Sequence, residues 1–333
     1  MTQLTLDTVP VLDLFAGPGG WDQGARDAAL PLDITGVDTD EAACDTARAA
    51  GHARIQADAH TLDLTRFAHC RGLIASPPCP TWSAAGRRSS VADLDHVLDM
   101  VTAIGWWEPD DDGEPAAWSP VTWAEVTAWA NAFADARTGL FAIAAWAALR
   151  MPRLDWVLME QVPTAEPLFD DIATELTSIG FNAETYTVCA SDLGMPIRRR
   201  RCYLVATAPG YPPAYPDFTT PVSGPSTMAD ALGWPAGHQI ITRGNRQGGG
   251  GNAFSADGPS WALTGSARSW VRDDGRRLTL SEASRLHGFP PDYPWAGSRT
   301  RAFLQVADVV LPPIAARLLT AVTTATTRKE HPQ

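Results

Sequence analysis

Five short apolar runs, each stopped by a glycine turn, a proline pair or an acid, constrain the fold of this 333-residue chain. Val9 to Phe15 is apolar apart from Asp13 and passes into Ala16-Gly17-Pro18-Gly19-Gly20, followed by a helical stretch, Gln23 to Ala29. Ile34–Val37 stops at Asp38, and a helix, Glu41–Ala50, follows it and ends at Gly51. Ile55-Gln56-Ala57 stops at Asp58, Leu73–Ala75 at Ser76-Pro77-Pro78-Cys79, and Trp156–Met159 at Glu160. Apolar runs this short, without alternation, fit strands buried on both faces, which is the pattern of a parallel sheet covered by helices. The expected class is therefore α/β.

In such sheets ligands bind outside the carboxyl ends of the strands, where every one of these stops would lie. The glycines after the first strand permit positive φ and let backbone amides approach a ligand closely. The turn is not G-x-G-x-x-G, so the dinucleotide fingerprint is not met. An acid ending the second strand, Asp38, is placed to bind ribose hydroxyls, and Asp58 could accept from an adenine amino group. Pro77 and Pro78 fix their own φ and lack an N–H, so they end the fourth strand and stiffen the turn that presents the Cys79 thiol.

The five cysteines (44, 70, 79, 189 and 202) form no C-x-x-C pair, which argues against a zinc site or a disulfide framework. No run of about 18 apolar residues is visible, so no membrane span is expected. Met1 to Pro10 lacks a basic segment leading into an apolar one, and the expected compartment is a reducing cytoplasm. The net charge of −12 is unevenly spread. Residues 1–194 hold 10 Arg against 29 acids, whereas residues 195–301 hold 13 Arg against 7 acids. A basic segment inside an acidic chain is the form of a localised phosphate-binding face.

Taken together, Asp13 to Gly20 and Ser76-Pro77-Pro78-Cys79 resemble the cofactor turn and the Pro-Cys nucleophile loop of the DNA (cytosine-5) methyltransferase family. Glu160-Gln161-Val162 is similar to its Glu-Asn-Val motif, with Gln161 for Asn. Ile197-Arg198-Arg199-Arg200-Arg201 is similar to its Gln-x-Arg-x-Arg motif, with Ile197 for Gln. Arg277-Leu278-Thr279 to Pro290 resembles its ninth motif, in which Ser281/Glu282 would open a helix and His287 would be structural. Ala307-Asp308 stands where the family has Gly-Asn.

The resemblance implies a mostly parallel, Rossmann-like methyltransferase sheet with a small irregular target-recognition domain. It implies S-adenosyl-L-methionine as cofactor, held by Phe15, Ala16, Gly17, Gly19, Gly20, Asp38, Asp58, Pro78 and Asp308. Cys79 would attack C6 of a cytosine flipped from double-stranded DNA. Glu160, its pKa raised by desolvation, would supply a proton at N3, and Arg199 and Arg201 would face the base and its phosphates. Alternation along a strand puts these two arginines on one face and Arg198 and Arg200 on the other. Ser83, Arg243, Arg246, Arg268 and Arg272 are the expected DNA contacts.

The expected boundaries are a catalytic domain, 1–206, with a Trp-rich acidic insertion at about 88–134; a recognition domain, 207–274; a return to the catalytic domain, 275–322; and a flexible tail, 323–333. The resemblance further implies a monomer of bacterial or phage origin, working beside a companion restriction endonuclease. Four alternatives stand: a tRNA cytosine-5 methyltransferase, an exocyclic amino-methyltransferase that would not need Cys79, an enzyme with an altered transferred group, and a non-catalytic DNA-binding protein on the same fold. The last two are motivated by Gln161, Ile197 and Asp308.

Overall fold

The structure is a computed structural model describing residues 8–78, 94–105, 107–109, 115–118, 121–133, 135, 137–242 and 253–327. The first strand, β1 (Val9–Leu14), leads through the glycine turn into α1 (Gly20–Asp27). Next come β2 (Leu32–Asp38), α2 (Glu41–Ala49), β3 (Ala53–Gln56) and β4 (Gly72–Ala75). Then follow α3 (Leu94–Gly105), a hairpin of β5 (Trp107–Pro109) and β6 (Pro115–Trp118), α4 (Trp123–Ala132) and α5 (Leu140–Arg150). The sheet resumes with β7 (Trp156–Gln161), and α6 (Glu166–Ser178), β8 (Asn182–Cys189), β9 (Ile197–Arg198) and β10 (Arg200–Thr207) follow.

Seven strands form one sheet in the order β3-β2-β1-β4-β7-β10-β8. All neighbours are parallel except β10, which runs antiparallel to both β7 and β8. The chain winds outward from β1 through β2 to β3, then crosses back to place β4 on the other side of β1. That reversal makes the carboxyl ends of β1 and β4 the walls of a crevice, so the glycine turn and the Pro-Pro loop become neighbours. Because β10 is reversed, its amino end lies at the same edge, with Cys202 opposite Gln161 and Tyr203 opposite Glu160.

The expected strands and helices are present, with ends shifted by a few residues. The central β7 is buried at every position, including Glu160 and Gln161 beyond its apolar run Trp156–Met159. The Ala-rich α5 buries nine of its eleven residues, and small side chains let it lie close to the sheet. Residues 94–105, within the stretch read as an insertion, form a helix that buries Val97, Val101 and Ile104 in the main core beside α5 and α6. Each such side chain contributes about 1.5–3 kcal/mol of transfer free energy.

The segment expected to form the recognition domain contains α7 (Met228–Leu232) and a three-stranded sheet of β11 (Gln239–Ile241), β12 (Ala253–Ser255) and β14 (Val271–Arg272), while β13 (Ser260–Trp261) pairs with β9. Its apolar residues Met228, Ile240 and Phe254 join the same cluster as Val11, Trp21 and Ile314, so it is packed onto the sheet domain. Thr279 caps α8 (Leu280–Leu286) in a reciprocal box with Glu282. Glu282 also accepts from Trp234 Nε1 at 3.1 Å and pairs with Arg276 at 2.7 Å, tying the ninth-motif helix to the recognition segment.

Helices α9 (Arg299–Asp308) and α10 (Pro312–Thr327) return to the first domain. Helix α10 runs through residues 323–327, which corrects the expectation of a flexible tail there. Val322 and Ala325 are buried, and this anchors the extra turn. The stretch Arg299–Thr327 is apolar and long enough by composition to cross a membrane, but 72% of its most apolar window is buried inside the protein.

Candidate active site

The crevice between β1 and β4 opens into a cavity of about 310 Å³. Its walls come from four places: the glycine turn (Phe15, Gly17), the end of β2 (Asp38, Asp40), the Pro loop (Ser76, Pro78) and the edge of β7 with β10 (Glu160, Arg201). Helix α9 forms the remaining side with Arg301, Leu304, Gln305 and Asp308.

The turn is held from below. Arg54 of β3 is opposite Gly36 of β2, and a Cβ at Gly36 would lie 1.9 Å from its guanidinium. Through that gap Arg54 donates to the carbonyls of Gly17 (3.1 Å) and Ala16 (3.3 Å) and pairs with buried Asp22 at 2.7 Å. Tyr293 donates to the Pro18 carbonyl at 2.6 Å, and Asp38 Oδ2 accepts from the Gly17 amide at 2.8 Å. Phe15 takes φ +63, a left-handed conformation that costs a non-glycine residue about 1–3 kcal/mol. Gly20 lies under the α9–α10 link, where a Cβ would come 2.2 Å from the Val310 carbonyl.

The Pro loop is tied at both ends of its described part. Trp21 Nε1 donates to Ser76 Oγ at 3.0 Å. Gln161 Nε2 donates to the Pro77 carbonyl at 2.6 Å, while its Oε1 accepts from the Val162 amide at 2.6 Å. Gln161 therefore bridges the β7 edge to the Pro loop. Cys79 and Ser83 lie outside the described residues, as do Arg243 and Arg246. Pro78, the residue before Cys79, lines the cavity with Glu160 and Arg201. Burial raises the thiols of Cys44 and Cys70, the latter to about 11, and of Cys202, which makes them poor nucleophiles.

Glu160 is buried, and desolvation raises its pKa against the opposing charges of Arg201 and Arg199. Arg201 Nε lies 2.9 Å from Glu160 Oε1. The two arginines share a face, as alternation predicts, with Arg198 and Arg200 exposed on the other side. Arg199, however, is not a cavity residue. It is 2% exposed, and its guanidinium grips the carbonyls of Ala307, Asp308 (3.2 Å) and Val309 (3.1 Å). The expectation that it faces a base is corrected on that ground: the guanidinium's two terminal nitrogens are turned to the α9 terminus.

Phe15, Ala16, Gly17, Gly20, Asp38, Pro78 and Asp308 all line the cavity. Gly19 is at the edge of the turn, with φ +104, facing His52 and Tyr293. Asp58 does not line it: the residue falls past the end of β3, caps a short 3₁₀ turn and bonds to His60 at 2.8 Å. Arg268 and Arg272 already have partners within the chain. Arg268 donates to the Gly265 carbonyl, and Arg272 pairs with Asp274 and stacks over Trp234 at 5.0 Å. Two residues that organise the site escaped the sequence reading: Arg54 and Tyr293. An arginine inside a short strand was the available signal for Arg54, but its partner glycine is fixed only by strand register. Among the described residues no three His, Cys, Asp or Glu side chains converge to hold a metal ion.

Comparisons with known proteins agree with this geometry. Residues 9–104 match the family of C-5 cytosine-specific DNA methylases. No curated protein sequence matches the chain. In fold, the chain is similar to a Dnmt2 methyltransferase of S. pombe, with a TM-score of 0.66 and 16% identity over 96% of this chain and 100% of that one. It is also similar to a putative DNA modification methyltransferase encoded within an E. coli prophage, with a TM-score of 0.60 and 18% identity over 96% and 100%. A methyltransferase of Entamoeba histolytica, EhMeth, gives 0.65 and 13% over 97% and 100%. The protein thus resembles the cytosine-5 methyltransferases, in sequence over residues 9–104 and in fold over nearly its whole length.

Proposed function

We propose that the protein transfers a methyl group from S-adenosyl-L-methionine to C5 of a cytosine flipped out of double-stranded DNA. The observation that carries this reading is the convergence of the Pro loop, a buried raised-pKa Glu160 and Arg201 on one cavity beside a glycine turn. The cavity's residues fit the donor: Asp38 stands at the end of β2, Phe15 and Trp21 give apolar walls, and Asp308 offers a carboxylate to a cation. When bound, the donor supplies a methyl group on a positively charged sulfur.

The chain's own residues would do the rest. Cys79, as thiolate, adds to C6 of the base, while Glu160 holds a proton at N3 and draws electron density from the ring. Arg201 keeps Glu160 oriented. After C5 is methylated, loss of the C5 proton and of the Cys79 thiolate restores the aromatic ring. Flipping the base costs a few kcal/mol, and the burial of Glu160 keeps bulk water from its carboxyl group.

The resemblance to the prophage-encoded methyltransferase and the basic segment 195–301 favour DNA as substrate. Arg198 and Arg200, exposed on the face opposite Arg201 with no side-chain partner among the described residues, suit phosphate contacts. The test is methyl transfer from tritiated S-adenosylmethionine to DNA and to tRNA by the purified protein and its Cys79→Ser variant. Label in DNA that is absent with the variant is expected. Label in tRNA alone, or full turnover by the variant, would overturn the reading.

A further inference from the structure

The acids of the cavity differ in what already holds them. Asp38 uses one oxygen for the Gly17 amide and the other for the Asp40 amide, both at 2.8 Å. Asp40 caps α2 and pairs with Arg301 at 2.5 Å across the cavity mouth. Glu160 pairs with Arg201. Asp308 is different. It lines the cavity and is exposed into it, and its carboxylate has no hydrogen bond or ion pair among the described residues.

Its position is nevertheless closely fixed. Arg199 grips the carbonyls of residues 307 to 309, including that of Asp308 itself. One turn earlier, Gln305 accepts from Thr46 at 2.6 Å and donates to the Ala296 carbonyl at 2.9 Å, seating α9 on α2. A carboxylate is thus held at one point of the cavity wall and left open to whatever enters. Burial raises its pKa, and the nearby charges of Arg199 and Arg201 oppose that and favour the anion without touching it. A carboxylate set in the cavity wall with no partner of its own is free to pair with a cationic ligand that enters.

We propose that Asp308 reads the charge of the methyl donor: it holds the cationic sulfonium form more tightly than the neutral thioether that remains after transfer. The inference rests on the donor proposed above and extends it to product exchange. The donor arrives with a positive charge on sulfur and leaves without it, so a carboxylate that senses this atom favours entry of donor over rebinding of product. A carboxylate that instead contacted the ligand's ammonium group, which both forms keep, would strengthen both alike. The two roles therefore separate in a ratio of affinities.

The experiment is calorimetric titration of the full chain with S-adenosylmethionine, S-adenosylhomocysteine and sinefungin, which carries an amine in place of the sulfonium. Asp308→Asn is expected to weaken the two cationic ligands about tenfold and to leave S-adenosylhomocysteine within about twofold. Asp308→Glu is expected to restore most of the ratio, and Asp308→Ser, which also removes the charge, to repeat the split should the Asn variant misfold. Equal loss for all three ligands, or no loss, overturns the inference while leaving the proposed function standing. Failure of the wild-type chain to bind any of the three would instead overturn the proposed donor, and the role of Asp308 with it.

Discussion

Arg199, in the link between β9 and β10, and Arg201, in β10, stand two residues apart on one face and have different tasks. Arg199 fills three carbonyls at the end of α9, so Arg199→Met leaves them buried without donors. A loss of about 3 kcal/mol is expected, read as a lower urea midpoint at unchanged slope; an unchanged midpoint would contradict it. Arg201 pairs with Glu160, the group proposed to carry the proton. Because desolvation raises the Glu160 pKa, its acid form persists above the ordinary carboxylate range and is lost as pH rises through the raised value. Turnover that depends on this proton therefore falls on the alkaline side. Glu160→Gln should lower kcat by about 10² to 10⁴ and abolish that alkaline limb. A limb that survives the substitution would assign it to another group.

At the scale of elements, the Pro loop is held to β7 by Gln161 alone among the described residues of that edge. Gln161→Ala removes the bond to the Pro77 carbonyl without touching the turn that would hold the donor. A fall in kcat of about tenfold is expected with donor affinity unchanged in calorimetry. Equal losses in both would mean that the loop and the donor turn are one unit.

Elements of this kind were largely legible in the sequence, because buried parallel strands announce themselves as apolar runs with sharp stops. The acids at strand ends were less so. Asp38 and Glu160 line the cavity, but Asp58 lies beyond the end of β3 and turns to cap its own loop. A shift of two residues in strand length decided this, and apolar patterning does not resolve such a shift. The roles of Arg54 and Tyr293 were hidden for another reason: they reach the glycine turn from 37 and 275 residues away, through register and helix return.

At the scale of the whole molecule, charge is divided between an acidic sheet domain and a basic segment that joins it at the cavity edge. The recognition segment packs into the same apolar cluster as α10, so its arginines are positioned relative to the cavity rather than tethered loosely. Several, including Arg272 and Arg276, are already paired and stack on Trp234, whereas Arg198 and Arg200 are exposed and have no side-chain partner among the described residues. Replacing both with Gln should weaken DNA binding and reduce the slope of log affinity against log salt by about 2. An unchanged slope would move the phosphate face elsewhere.

The account turns on a transient bond between one sulfur and a pyrimidine ring. Incubation of the chain with S-adenosylmethionine and DNA carrying 5-fluorocytosine at its target base, followed by denaturing gel analysis and mass spectrometry of the digested adduct, tests it most directly. Fluorine cannot leave C5 as the proton does, so a stable complex is expected, with methylated base attached to the peptide at Cys79. No adduct with a DNA substrate that the protein methylates, or an adduct at another residue, would contradict the mechanism.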